Sequence, residues 1–169
     1  VHLVLGPVNT DGIHKNVHLT CIESAADMYE ACSSIFAQCD AAILSAAVAD
    51  YAPAHTADQK IKKKGYTLSL ELIKTKDVLY HLGEVKRANQ ILVGFALETQ
   101  NEYDNAVIKL EKKNLDFIVL NSMNDKGAGF GKDTNKITIL EKNGKTHNFD
   151  TKPKAEVAQD IVSLLSTYL

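Results

Sequence analysis

Tryptophan is absent from this 169-residue chain, and proline and cysteine occur three times each. The cysteines, Cys21, Cys32 and Cys39, are odd in number, lack C-x-x-C spacing and have no histidine pair nearby. That pattern excludes a disulfide framework and a zinc site and fits reduced thiols in the cytoplasm. No apolar run approaches the ~18 residues of a membrane span. No cationic stretch leads into an apolar one at the start, so a secretory signal is not expected. Neither sign of charge is in excess: the net charge of -2 argues against a nucleic-acid coat protein, which is basic overall. No G-x-G-x-x-G follows a strand, no Walker loop opens a helix, and no nucleophile elbow is present. These absences count against an NAD site, a P-loop and an α/β hydrolase. The six histidines show no ligand spacing, so no metal site built from side chains is expected. Repeats and low-complexity linkers are also missing, so residues 1–169 read as one globular domain.

What is present is a regular alternation of strand and helix signals. Residues 1–5 alternate and stop at Gly6-Pro7, and residues 17–22 form a second short strand. Ser24 and Asp27 have the form of a capping box, followed by helical spacing of Met28, Ala31, Cys32 and Ile35 to about Gln38. The apolar runs 41–45, 91–96 and 115–120 suit strands buried on both faces of a parallel sheet. A helix from about Glu98 to Lys113, with Tyr103, Ala106, Val107 and Leu110 inward, links the last two as a crossover. Residues 66–72 alternate cleanly and predict an extended segment with one wet face. Strands at 136–140 and 146–149 flank Asn143-Gly144, a type I′ hairpin signal. A final amphipathic helix, about Lys154 to Tyr168, turns Val157, Ile161, Leu164 and Leu165 inward.

Ligands of open parallel sheets bind beyond the carboxyl ends of the strands. After Ser45 comes A-A-V-A-D-Y (46–51), where small residues permit close backbone approach and Asp50 offers a carboxylate. A continuation of the strand with a turn capped by Asp50 explains the same residues. Ten residues on, K-I-K-K-K-G (60–65) is either a solvated loop or a phosphate site, since ammonium groups make strong charge-assisted bonds to phosphate oxygens. Lys109 and Lys113 share a helix face, a like-charge pair that costs roughly 0.2–0.5 kcal/mol unless it serves an anion. Glu111 beside them offers partial balance. Phe130 lies in the glycine-rich stretch 127–133, which is either a lid or a surface loop.

In order along nearly the whole chain, several blocks resemble the bacterial phosphopantothenoylcysteine synthetase family, whose domain is usually fused to a decarboxylase. They are Gly6-Pro7-Val8, A-A-V-A-D-Y (46–51), K-I-K-K (60–63), V-G-F-A-L-E-T (93–99), K-N-L-D (113–116), and Gly129-Phe130 with Asp133 and Asn135. The resemblance implies a Rossmann-like, doubly wound α/β fold. Its sheet would be mostly parallel, with a C-terminal β-hairpin and an extended dimerisation segment after Lys64. It implies a cytoplasmic homodimeric ligase joining 4′-phosphopantothenate to L-cysteine, with a decarboxylase upstream. CTP would convert the carboxylate to an acyl-cytidylate with loss of pyrophosphate, and the cysteine amine would then displace CMP. The backbone around Ala49 and Tyr51 would meet the cytosine while Asp50 holds the nucleotide. Lys60, the implied catalytic residue, would hold the triphosphate with Lys109 and Lys113, the triphosphate being accompanied by a Mg2+ ion, and Phe95 and Phe130 complete the implied set. Leu97 stands where the family has alanine. Val1 would correspond to the family's second strand, which makes the chain N-terminally incomplete, without the loop that binds the acyl substrate. Two alternatives stay open: a CTP-binding fragment without activity, and a Rossmann-type NAD or flavin oxidoreductase.

Overall fold

The computed structural model describes residues 1–8, 12–62, 65–98, 100–122 and 132–169. In chain order they form β1 (His2–Leu5), β2 (His18–Cys21), α1 (Ala25–Phe36), β3 (Ala41–Leu44), β4 (Tyr51–Pro53), β5 (Leu72–Lys74) and α2 (Val78–Val85). There follow β6 (Ile91–Glu98), α3 (Glu102–Lys112), β7 (Phe117–Ser122), β8 (Thr134–Asn135), β9 (Ile137–Glu141), β10 (Thr146–Asn148), β11 (Lys152–Pro153) and α4 (Lys154–Ser166). Two compact units result, Val1–Cys32 with Ala47–Val78, and Ser33–Ala46 with Leu79–Leu169. No helix among the described residues is long and apolar enough to cross a membrane.

The first unit is held mainly by local and backbone bonds. β1 and β2 pair in parallel, from His2 opposite His18 to Leu5 opposite Cys21. Ser24 and Asp27 close the expected capping box at the start of α1. The Asp27 N–H donates to Ser24 Oγ at 3.1 Å, and the Ser24 N–H and hydroxyl donate to the Asp27 carboxylate at 2.9 and 2.7 Å. Those bonds from Ser24 hold the Asp27 carboxyl below its ordinary value. β4 and β5 pair antiparallel, Tyr51 opposite Lys74 and Pro53 opposite Leu72. The alternation at 66–72 predicts one wet face, yet both are wet: Tyr66, Leu68, Leu70 and Leu72 are each more than half exposed.

The second unit carries the core. Its sheet has the order β10-β9-β7-β6-β3, with β3, β6 and β7 parallel. β9 runs antiparallel to β7, and β10 antiparallel to β9, so four of the five strands share one direction. Alternate residues of β6, β7 and β9 (Ile91, Val93, Phe117, Val119, Ile137, Ile139) cluster with Val157 and Ile161 of α4. On the opposite face of β6, Gly94 lies against Leu79 of α2 and against Leu115, and a Cβ there would come within 2.8 Å of both side chains. Helices therefore cover both faces, the doubly wound α/β arrangement read from the sequence, and the near-continuous apolar runs follow from it.

Four local readings are corrected. β3 stands at the end of the sheet order, where Ile43 is 41% exposed, so its position overrides its apolar composition. β6 runs on to Glu98, and α3 starts only at Glu102, after Asn101 in the left-handed region at φ 46°. The hairpin is not a type I′ turn, because Asn143 has no positive φ. Instead the Gly144 N–H bonds to Glu141 O at 3.0 Å, Gly144 takes φ 88°, and Glu141 N–H bonds to Lys145 O at 2.9 Å, a tight turn followed by a glycine bulge. Helix α2 is absent from the sequence reading. Its eight residues are too few to show a period, and Gly83 in its middle is a poor helix former. That glycine has a tertiary cause: a Cβ would lie 2.0 Å from the Lys113 carbonyl oxygen.

Candidate functional site

Beyond β3 the chain runs without regular structure through residues 45–50 until Tyr51 opens β4. Ala49, Asp50 and Tyr51 are exposed, Tyr51 to 60%. Their backbone is nonetheless anchored. The Thr75 N–H donates to the Asp50 carbonyl at 2.9 Å, and the Thr75 hydroxyl donates to the Ala49 carbonyl at 2.6 Å. Lys60 and Lys62 are also exposed and, among the described residues, form no ion pair; Ile61 between them is 58% exposed. An apolar side chain and two ammonium groups left to solvent have no packing role there. Lys63 and Lys64 lie outside the described residues, as does Phe130.

In the second unit, Lys109 is fixed by an ion pair of 2.5 Å to Glu98, whose side chain is only 14% exposed. Asn105 donates to the other oxygen of that carboxylate at 3.2 Å. The charge of Lys109 is thus offset by Glu98, a residue on a strand. A lysine so held keeps its stem in place while 43% of its side chain stays open to solvent, a preorganised cation. Lys113 is the C-cap residue of α3, its N–H bonded to Lys109 O at 3.0 Å. Phe95 is half-buried and packs on the core cluster.

The rest of the K-N-L-D block is accounted for by packing. Asn114 sits at φ 50° and donates to Gly83 O at 2.9 Å, while its Oδ1 accepts from Lys142 at 2.9 Å. Leu115 is fully buried beside Gly94. Asp116 accepts from Lys86 Nζ at 2.7 Å and from the Leu92 N–H at 2.6 Å. Gln90, 2% exposed, bonds the Phe36 and Cys39 carbonyls at 2.7 and 2.8 Å and so satisfies the end of α1.

A second polar cluster holds the hairpin to the C-terminus. Glu141 accepts from His147 Nε2 at 2.6 Å and from the Tyr168 hydroxyl. Burial pushes its carboxyl up, but the bonds from His147 and Tyr168 outweigh that and bring it below the ordinary value. The Tyr168 hydroxyl is pushed up by burial and by Glu141. A nearby cavity of about 430 Å³ between α3 (Tyr103, Val107, Leu110) and the hairpin turn (Lys142, Gly144, Lys145) is lined by none of the candidate nucleotide-binding residues.

The structure therefore groups Ala49, Asp50 and Tyr51 on one anchored segment and Lys109 with Lys113 at one end of α3. It forms no hydrogen bond between Lys60 and the 49–51 segment among the described residues. Sequence reading missed Thr75 and Asn105 and gave Glu98 no role. A hydroxyl at a strand end carries no local signature, and the Glu98–Lys109 pair spans a strand-to-helix turn. Among the described residues no group of three or more His, Cys, Asp or Glu could hold a metal ion.

Residues 1–168 match the family described as DNA/pantothenate metabolism flavoprotein, C-terminal domain. A relative from an unknown prokaryotic organism, described as a cysteine/cysteine sulfinic acid decarboxylase, is 48% identical over 99% of this chain and 46% of its own length. The coenzyme A biosynthesis bifunctional protein CoaBC of Bacillus subtilis (strain 168) is 44% identical over 96% of this chain and 40% of its own length. A crystal structure of the C-terminal domain of coenzyme A biosynthesis bifunctional protein CoaBC aligns with a TM-score of 0.78 at 37% identity, covering 98% of this chain and 74% of that one. The chain spans a little under half the length of the curated relatives it matches.

Proposed function

The chain belongs to the DNA/pantothenate metabolism flavoprotein C-terminal domain family, and on that premise we propose that it carries the CTP-dependent ligase function of coenzyme A biosynthesis. The reaction joins 4′-phosphopantothenate to L-cysteine. The substrate carboxylate attacks the α-phosphate of CTP, pyrophosphate leaves, and the cysteine amine displaces CMP from the acyl-cytidylate. The observation that carries the reading is the exposed state of Lys60 and Lys62, without an ion pair among the described residues, together with the anchored segment at Ala49, Asp50 and Tyr51. These residues have no packing duty, whereas most of the other recurring blocks do.

In this reading the 49–51 backbone meets the cytosine, and Asp50 holds the nucleotide. Lys60, Lys109 and Lys113 hold the triphosphate, with Phe95 and Phe130 as further contacts. Attack at phosphorus builds negative charge on the departing pyrophosphate, and fixed cations stabilise it without reorganising during the reaction. Lys109, already held by Glu98, has the least to reorganise. The described residues form no protein cage for Mg2+. They fit an ion that arrives on the triphosphate, the usual way Mg2+ is bound, where it neutralises phosphate charge.

The test is pyrophosphate release from CTP with 4′-phosphopantothenate, cysteine and Mg2+. Lys60→Ala is expected to lower turnover by about 10²–10³ with unchanged circular dichroism; wild-type release by that variant removes Lys60 from the mechanism. Because the chain spans under half of its relatives, a second reading is kept, a CTP-binding fragment that does not turn over. CTP binding without any pyrophosphate release selects it. The decarboxylase name belongs to a relative more than half of which lies outside the aligned part, and it is not carried to this chain.

The same reading makes the protein a cytoplasmic homodimer. The stripe Tyr66, Leu68, Leu70 and Leu72, exposed in the single chain, supports a partner at that segment. Sedimentation equilibrium is expected to give twice the chain mass, and a monomer at all concentrations would exclude the dimer.

A further inference from the structure

We propose that Thr75 is the positioning residue for the segment of Ala49, Asp50 and Tyr51, an inference that rests on the nucleotide-binding reading of that segment. Thr75 donates its N–H to the Asp50 carbonyl at 2.9 Å and its hydroxyl to the Ala49 carbonyl at 2.6 Å. Those two carbonyls belong to the peptide units on either side of the Asp50 Cα. Each unit is planar, and only φ and ψ rotate between them. Holding both planes from one residue therefore fixes both soft dihedrals of Asp50. The Cα–Cβ bond follows, and with it the direction in which the carboxylate leaves the chain. The Asp50 N–H is trans to the Ala49 carbonyl in the same plane, so it points away from the Thr75 hydroxyl. A base bound on that side meets a donor whose direction Thr75 has set.

Thr75 is itself held from both sides. Leu72–Lys74 before it pair with Tyr51–Pro53. After it, Lys76 Nζ lies 4.2 Å from the Tyr29 ring centroid and 3.5 Å from the Glu30 carboxylate. Strand pairing supplies the backbone bond whatever residue stands at 75. The bond to Ala49 requires a hydroxyl, so Thr75→Val removes that bond alone and keeps the branched shape.

The experiment titrates the whole chain with CTP and with UTP, which share the triphosphate and differ in the base edge, by calorimetry in the presence of Mg2+. Thr75→Val is expected to weaken CTP binding about tenfold, the worth of one net hydrogen bond, and to lower the ratio of CTP to UTP affinity. Thr75→Ser is expected to restore both, with thermal midpoints of all three chains alike. A purely structural threonine would shift the midpoint and leave the ratio unchanged. Wild-type affinity and ratio in Thr75→Val overturn the proposal, and so does a Thr75→Ser chain as weak as Thr75→Val. A wild-type chain that binds no CTP, or binds CTP and UTP equally, overturns the nucleotide reading beneath it.

Discussion

The two units of the chain use their recurring sequence blocks in opposite ways. In the second unit, K-N-L-D at 113–116 is consumed by packing: a left-handed asparagine on a helix carbonyl, a buried leucine against a glycine, and an aspartate on a lysine and a backbone N–H. In the first unit, A-V-A-D-Y and K-I-K leave most of their side chains in solvent, and the former is anchored through its backbone carbonyls and strand pairing. Among the described residues, only Met28 and Val78 of the buried hydrophobics lie in the first unit. The blocks are equally recognisable as strings, yet one is explained by the fold and the other is not. A recognisable block points to chemistry only after its packing duties have been subtracted.

The largest expected effect tests the packed side. Gly83→Ala places a Cβ 2.0 Å from the Lys113 carbonyl oxygen, and backbone on both sides cannot yield cheaply. A loss above about 3 kcal/mol, the upper range for overpacking, is expected in chemical denaturation. A variant of wild-type stability would break the claim that Lys113 and Asn114 are fixed by α2. Lys86→Ala comes next. Its side chain is 8% exposed and that of Asp116 17%, so removal strands a buried charge and is expected to cost roughly 3 kcal/mol. A much smaller loss would return Asp116 to the list of residues awaiting a function.

The smallest effect belongs to the first unit. Ser24→Ala deletes the capping box and is expected to cost about 1 kcal/mol. The bonds from Ser24 lower the Asp27 pKa from 3.8 in the folded chain. Stability from that group is therefore present above pH 3.8 and lost as the pH falls through the folded value. The gap between wild type and Ser24→Ala should narrow below that pH, and a gap independent of pH would remove the carboxylate from the box.

Period and punctuation made most of the fold legible. β1, β2, α1, β6, β7, the hairpin strands and α4 fall within two residues of where the sequence puts them, because each carries enough residues to show its own pattern. What escaped is set by distant partners. Gly83 weakens α2 as a local signal because the Lys113 backbone needs the space. The run 41–45 resembles 91–96, and only sheet order distinguishes the end strand from the central one. Asn143-Gly144 suits two turns, and the bulge at Gly144 decides between them. The proposed nucleotide residues were named from a family resemblance, while the groups that hold them, Thr75 and Glu98, are joined to them by contacts that no local spacing encodes.

The exposed stripe at Tyr66, Leu68, Leu70 and Leu72 also governs how the protein behaves in a tube. It is an alternating apolar segment next to β5, whose one strand partner among the described residues is β4. Such a segment is a template for unwanted strand addition, and charged residues close by are the usual guard. Here Glu71 interrupts the stripe, with Lys62 before it and Lys74 and Lys76 after it. Replacing those lysines by neutral residues is expected to lower the concentration at which the protein begins to aggregate, read by light scattering.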